Sequence, residues 1–167
     1  MKKIGIISIA ILAFVSSSNL MVLTVLARPE TSTISASCVA AQSILSQIQK
    51  ADTGSRINRG HDYTEILSLM FAMNARLSVN KIAAPILTDL AMQFEQNIAQ
   101  FRSDYDEYDK ILTSALRAKC INNPNDFYDN LESSRAARKV LKQNVAALDQ
   151  IMNDYSSRLN VVLKESE

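Results

Sequence analysis

The segment Phe101–Asp109 has the residue types most suggestive of chemistry, because aromatic side chains alternate there with four acids. Closely spaced carboxylates could indicate Ca²⁺, but an EF-hand loop needs oxygen ligands at alternating positions and a glycine at the sixth. Counted from Asp104, the third ligand position is Tyr108 and the sixth residue is an acid. On a helix, Phe101, Tyr105 and Tyr108 share one face. We therefore predict an aromatic packing stripe with a solvated acidic back and no metal site.

His61 is the one histidine, and hence the one side chain that ordinarily titrates near neutral pH. It lies beside Asp62 in a polar stretch, and the sequence has no Gly-x-Ser-x-Gly, phosphate-binding loop or Cys-x-x-Cys-His haem motif. One histidine also leaves no multi-histidine metal site. The sequence predicts a non-enzymatic protein with no catalytic residue and no cofactor.

Arg135 and Arg138 stand three residues apart, and Arg138 interrupts a helical seam that is mostly apolar. One interpretation is structural: Arg138 pairs with Asp109, or stacks on Tyr105 or Tyr108, and the polar group disfavours shifted alignments of the helices. The other is functional, with Arg135 and Arg138 binding an anionic partner. The sequence favours the structural interpretation and keeps both arginines as candidate partner-binding residues.

The amino-terminal segment indicates export. Lys2 and Lys3 precede a largely apolar segment over Ile4–Ala27, which is typical of a secretory signal. Two interpretations stay open: a signal peptide cleaved before Arg28, or an uncleaved anchor whose 24 residues are enough to cross a bilayer. Both make residues 1–27 the leader and place residues 28–167 outside the cytoplasm, so contact with a membrane is expected only through residues 4–27, if they are retained.

The charge balance of the remaining chain excludes one class of partner. Without the leader it carries 16 basic and 17 acidic side chains. Nucleic-acid binding relies on clustered lysine and arginine, so this balance predicts no nucleic-acid partner. The expected partner is an unidentified protein or a component of the cell envelope.

Composition predicts an all-α fold. Glycine and proline, three of each, make up about 4% of the chain, where roughly 12% is usual, so turns are too few for a many-stranded sheet. Apolar residues repeat at coiled-coil spacing in one seam from Leu87 to Leu116 and another from Phe127 to Val162. Pro85 places the start of the helix that carries the first seam between residues 80 and 84. Asn123 is expected to cap the helix that carries the second seam with its side chain. A tight connection at residues 120–123 makes these two helices an antiparallel hairpin.

The first third of the mature chain is less regular. Apolar stripes at residues 34–48 and 63–77 flank a polar stretch that contains Gly54 and Gly60. It forms either two short helices that double back, or one long element that is kinked or broken near residues 52–60.

The cysteines distinguish these alternatives. Two cysteines in an exported chain predict one disulfide, Cys38–Cys120, although two buried free thiols stay open as the alternative. A chain that doubled back would hold Cys38 far from Cys120, whereas one continuous pass brings it beside the hairpin corner. We therefore predict an elongated antiparallel three-helix bundle after a signal segment.

The order of Cys38, His61, Tyr105, Cys120 and Arg138, with the aromatic residues between them, resembles a loose group of exported bacterial helical-bundle proteins of unknown function. The resemblance implies the architecture and no chemistry. Our leading functional hypothesis is a secreted or cell-envelope helical protein that acts as an interaction module or spacer. The alternative is a periplasmic holdase-like chaperone, which should trimerise or expose an apolar groove.

Overall fold

A computed structural model describes residues 31–166, which form three α-helices: α1 (Thr31–Val79), α2 (Pro85–Arg117) and α3 (Pro124–Glu165). No β-strand occurs in this part of the chain, so the predicted all-helical class is confirmed. The predicted leader, residues 1–27, lies outside the described residues. Across residues 31–166, no helix has an apolar stretch that would suffice to span a bilayer.

Contacts between the helices show how they run relative to one another. Asn74 and Gln42 of α1 contact the first and last turns of α2 respectively, so α1 and α2 run in opposite directions. Along α3, residues 138 and 155 contact residues 52 and 74 of α1, so α1 and α3 run in the same direction. The helix α2 packs against both of the others.

The two predicted seams line the core. Phe94, Leu112 and Leu148 are almost completely buried, and of the predicted α3 seam only Arg138 is exposed. From α1, Tyr63 places its ring edge-to-face against two rings of α2, with centroids 6.0 Å from Phe94 and 5.8 Å from Phe101. The spacing of apolar residues therefore identified the buried faces of α2 and α3 correctly.

The disulfide Cys38–Cys120 is present, with 5.6 Å between the Cα atoms, which confirms the predicted pairing. It joins the first turns of α1 to the connection between α2 and α3. Nearby, the Gln42 side-chain amide donates to the backbone carbonyls of Ala115, Leu116 and Ala118 at 2.9–3.1 Å. The last carbonyls of a helix have no partner in a following turn, so α1 supplies a donor to them across the interface, in addition to the Ala118 N–H that donates to Ala115.

The break considered near residues 52–60 is absent, because α1 is helical throughout that stretch. Each glycine inside a helix costs about 1 kcal/mol relative to alanine. Polar side chains around Gly54 and Gly60 offset this local cost by bonding across to α2. Gln49 donates to Asp109 at 2.9 Å, and Arg56 donates to Asp106 at 2.8 Å.

Substituting these glycines is expected to stabilise the protein. A Cβ atom at Gly54 or Gly60 would meet no atom within 4 Å, and neither residue has a positive φ. Gly54→Ala and Gly60→Ala should each raise the free energy of unfolding, measured in urea, by about 0.5–1 kcal/mol. The reciprocal control, Ala51→Gly, should lower it by a similar amount. A loss of stability in both alanine variants would contradict a continuous α1.

The helix starts differ slightly from expectation. The helix α2 begins at Pro85 itself, one residue beyond the predicted window. Asn123 is the N-cap of α3, as expected, but its side chain makes no capping hydrogen bond. Its backbone carbonyl accepts the Asp126 N–H instead, at 3.2 Å, and its own N–H donates to the Lys119 carbonyl at 2.8 Å. The tight turn thus holds Asn123 through the main chain.

Candidate functional site

Asp52 of α1 contacts one polar side chain from each of the other two helices. The Tyr108 hydroxyl of α2 donates to one carboxylate oxygen of Asp52 at 2.6 Å, and Arg138 of α3 donates to the other at 2.8 Å. Asp52 is only 18% exposed, whereas the Arg138 side chain is 56% exposed. Both oxygens of this largely buried carboxylate are therefore satisfied, one by a cation and one by a phenol.

Arg138 pairs with Asp52, so the predicted pairing with Asp109 is wrong. Asp109 accepts a hydrogen bond from Gln49 instead, and the guanidinium that lies over the Tyr105 ring, 4.8 Å from its centroid, is that of Arg56. The prediction considered only the hairpin of α2 and α3. In the folded protein, α1 runs alongside α3 and offers Arg138 a closer carboxylate.

Beside this contact lies an open groove of about 540 Å³ that residues of all three helices line. We call it the cationic groove. Its apolar lining consists of aromatic residues from α2 and aliphatic residues from α3, namely Phe101, Tyr105, Tyr108, Leu141 and Val145. Six cations also line it, from α1 and α3, namely Arg56, Arg59, Arg135, Arg138, Lys139 and Lys142. Asp52 is the one acid in the lining.

Half of these cations already have a carboxylate partner. Arg56 pairs with Asp106, Arg138 with Asp52, and Arg135 with Glu132 of its own helix.

The other three, Arg59, Lys139 and Lys142, form no ion pair with any residue among 31–166. Arg59 donates only to the Tyr63 hydroxyl, at 3.3 Å. The groove therefore holds an excess of positive charge in a chain whose overall charge is close to zero.

Folding raises the pKa of three tyrosines, of which Tyr105 and Tyr108 line the groove. Burial raises the pKa of Tyr108, and the adjacent carboxylate of Asp52 raises it further. Burial also raises the pKa of Tyr105, and Asp109 and Asp52 add to the effect, while a hydrogen bond with Thr53 and the Arg56 charge oppose it. Burial alone raises the pKa of Tyr155, whose hydroxyl lies 2.8 Å from the Asn74 side-chain oxygen.

These shifts predict a loss of stability in alkali. A phenol whose pKa is raised by folding stabilises the protein fully below its unfolded pKa of about 10, and this contribution is lost as the pH rises through the folded pKa. The free energy of unfolding should therefore fall as the pH rises above about 10. At such a pH, ultraviolet absorption should show fewer tyrosinates in the native chain than in urea. Tyr108→Phe should narrow that difference; identical titrations of native and unfolded chains would contradict the prediction.

Phe101, Tyr105 and Tyr108 are all buried, which confirms the predicted aromatic stripe. Asp106 and Glu107 are exposed on the other side of α2. Residues 31–166 contain no cluster of three or more histidine, cysteine or acidic side chains placed to hold a metal ion. His61 is exposed on α1, and its Nδ1 lies 3.7 Å from the Glu65 carboxylate one turn along.

Arg135 and Arg138, the candidate partner-binding residues, both line the cationic groove. Sequence reasoning missed the other four cations. Lys139 and Lys142 could have been found, because residues 135, 138, 139 and 142 share one face of a helix. Arg56 and Arg59 had no such signal, since only the packing of α1 beside α3 brings them to the same groove.

No protein-family model, curated protein or solved structure matches this chain.

Proposed function

We propose that this chain is a non-enzymatic, extracytoplasmic helical protein that acts as an interaction module or spacer, built as an elongated antiparallel three-helix bundle. The observation that carries the proposal is the Cys38–Cys120 disulfide, which ties the start of a 49-residue helix to the connection between two others. That bond holds three long helices together at one end. At 1.5 Å per residue, α1 alone extends about 74 Å.

Two features support export. Disulfides persist in oxidising compartments outside the cytoplasm, and both cysteines of the chain are used in this bond. The basic and apolar segment at residues 1–27 has the features of a secretory signal, which directs a chain out of the cytoplasm.

The surface supports an interaction module or spacer more than a holdase. The large exposed apolar residues of α1 fall into separate groups along the helix, namely Val39 with Ile44, Ile57 alone, and Leu69 with Phe71 and Val79. Gaps of 13 and 12 residues, about 18–20 Å of helix, lie on either side of Ile57 and interrupt any continuous client-binding patch on α1. The most distinctive concave surface is instead bordered by charge.

The test is to express the full chain in an exporting bacterial host and study the recovered protein. We expect it outside the cytoplasm, with a mass lower by two hydrogen atoms than that of the reduced chain. It should be monomeric by light scattering. Small-angle scattering should give a radius of gyration of about 20 Å or more, the value for a rod about 74 Å long, rather than the roughly 14 Å of a compact domain of this size.

Three outcomes would contradict the proposal. These are recovery of a reduced protein from the cytoplasm, a radius of gyration close to the compact value, and a trimer that suppresses aggregation of a denatured client protein. The last result would establish the holdase alternative.

A further inference from the structure

We propose that the cationic groove binds a small organic anion with an apolar or aromatic body. This proposal adds a ligand to the spacer function and does not depend on that function, because binding in the groove can be measured whether or not the chain is exported.

Charge supplies the first argument. Arg59 on α1 and Lys139 and Lys142 on α3 line the groove without a carboxylate partner among the described residues. Three uncompensated cations around one concavity attract an anion, and neighbouring low-dielectric walls strengthen that attraction. The three cations that are already paired add little net charge, and two of their ion pairs, Arg56–Asp106 and Arg138–Asp52, join different helices.

The apolar lining supplies the second argument. Rings of α2 and aliphatic side chains of α3 line the same groove as the cations. The Tyr105 and Tyr108 hydroxyls are engaged by Thr53 and Asp52 of α1, at 3.4 and 2.6 Å. A ligand with an apolar body covers the part of this lining that the groove leaves open, chiefly at Val145, and places its charged group among the cations.

Size distinguishes a small molecule from a protein segment. The groove volume, about 540 Å³, lies within the 300–1,000 Å³ range of small-molecule sites. Its α3 wall runs from Arg135 to Val145, about 15 Å of helix. A partner helix longer than about 10 residues would extend beyond this wall and leave its remaining turns outside the groove. A compact organic anion fits as a whole.

The test uses anilinonaphthalenesulfonate, a fluorescent aromatic anion, titrated into the oxidised full chain. We expect saturable binding that weakens as salt is added. The triple variant Arg59→Gln/Lys139→Gln/Lys142→Gln removes the three unpaired cations and leaves every groove ion pair intact. It should weaken binding about tenfold or more.

Two controls make the result specific. The matched variant Arg76→Gln/Lys110→Gln/Lys164→Gln removes three exposed cations outside the groove and should change binding less than twofold. The uncharged analogue N-phenylnaphthylamine has the same ring body without the sulfonate. It should bind the native chain much more weakly, and the groove variant should not change its affinity. Circular dichroism should show the same helix content and melting temperature in both triple variants.

The proposal is overturned if anilinonaphthalenesulfonate does not bind, if both triple variants lose the same affinity, or if the uncharged analogue binds as tightly as the anion. It is also overturned if an acidic amphipathic peptide binds in a groove-dependent way while the sulfonate does not, because the ligand would then be a protein segment.

Discussion

Replacing both cysteines, as Cys38→Ala/Cys120→Ala, is expected to lower the free energy of unfolding by about 4–5 kcal/mol. The bond closes a loop of 82 residues, and releasing it returns the entropy of that loop to the unfolded chain, worth roughly this amount on the chain-entropy model. Alanine keeps each Cβ atom, so the native structure loses only the two buried sulfur atoms. Urea denaturation followed by circular dichroism measures the difference.

The wild-type chain in reductant should reproduce the stability of the double variant, and reductant should leave that variant unchanged. Amide exchange should accelerate most in the first turns of α1, where Ile34 and Cys38 pack against the hairpin corner. Wild-type protein that is equally stable with and without reductant would contradict this role of the bond.

The second large effect is expected at the centre of the core. Phe94→Ala should lower the free energy of unfolding by about 3–5 kcal/mol, because Phe94 is fully buried and its removal leaves a cavity. The substitution also removes the edge-to-face contact with Tyr63, whose ring centroid is 6.0 Å away.

Phe71→Ala is the matched control for Phe94→Ala. Phe71 is 41% exposed on α1, so the same truncation should cost about 1 kcal/mol or less. Urea denaturation of both variants compares the two sites directly. Equal losses would mean that Phe94 does not occupy the packed interior.

The spacing of apolar residues along the sequence predicted much of the fold. In α2, residues such as Leu87, Ile98 and Leu112 recur at helical spacing, and all are buried. This works because a helix repeats its geometry, so residues three or four apart face the same neighbour whatever that neighbour is. The disulfide could be predicted for a related reason: once the helices were elongated, only one course of α1 brought Cys38 to Cys120.

Helix propensity was a poor guide to the middle of α1. A break in α1 was one alternative, because glycine weakens an isolated helix and this stretch contains Gly54 and Gly60 with polar residues between them. The helix continues because Gln49, Asp52 and Arg56 find partners on the other helices. The polar side chains that suggested a loop are the ones that bond α1 to its neighbours.

The amino-acid sequence by itself determined the helical class, the buried faces of the helices and the one disulfide, since each depends on spacing within a helix or on the number of cysteines. Only the tertiary structure decided that Arg138 pairs with Asp52, and that cations from positions 56–59 and 135–142 line one groove. The physical reason is that the rotation and register of α1 against α3 arise from the packing of all three helices. Charges far apart in sequence become neighbours only when that packing is complete.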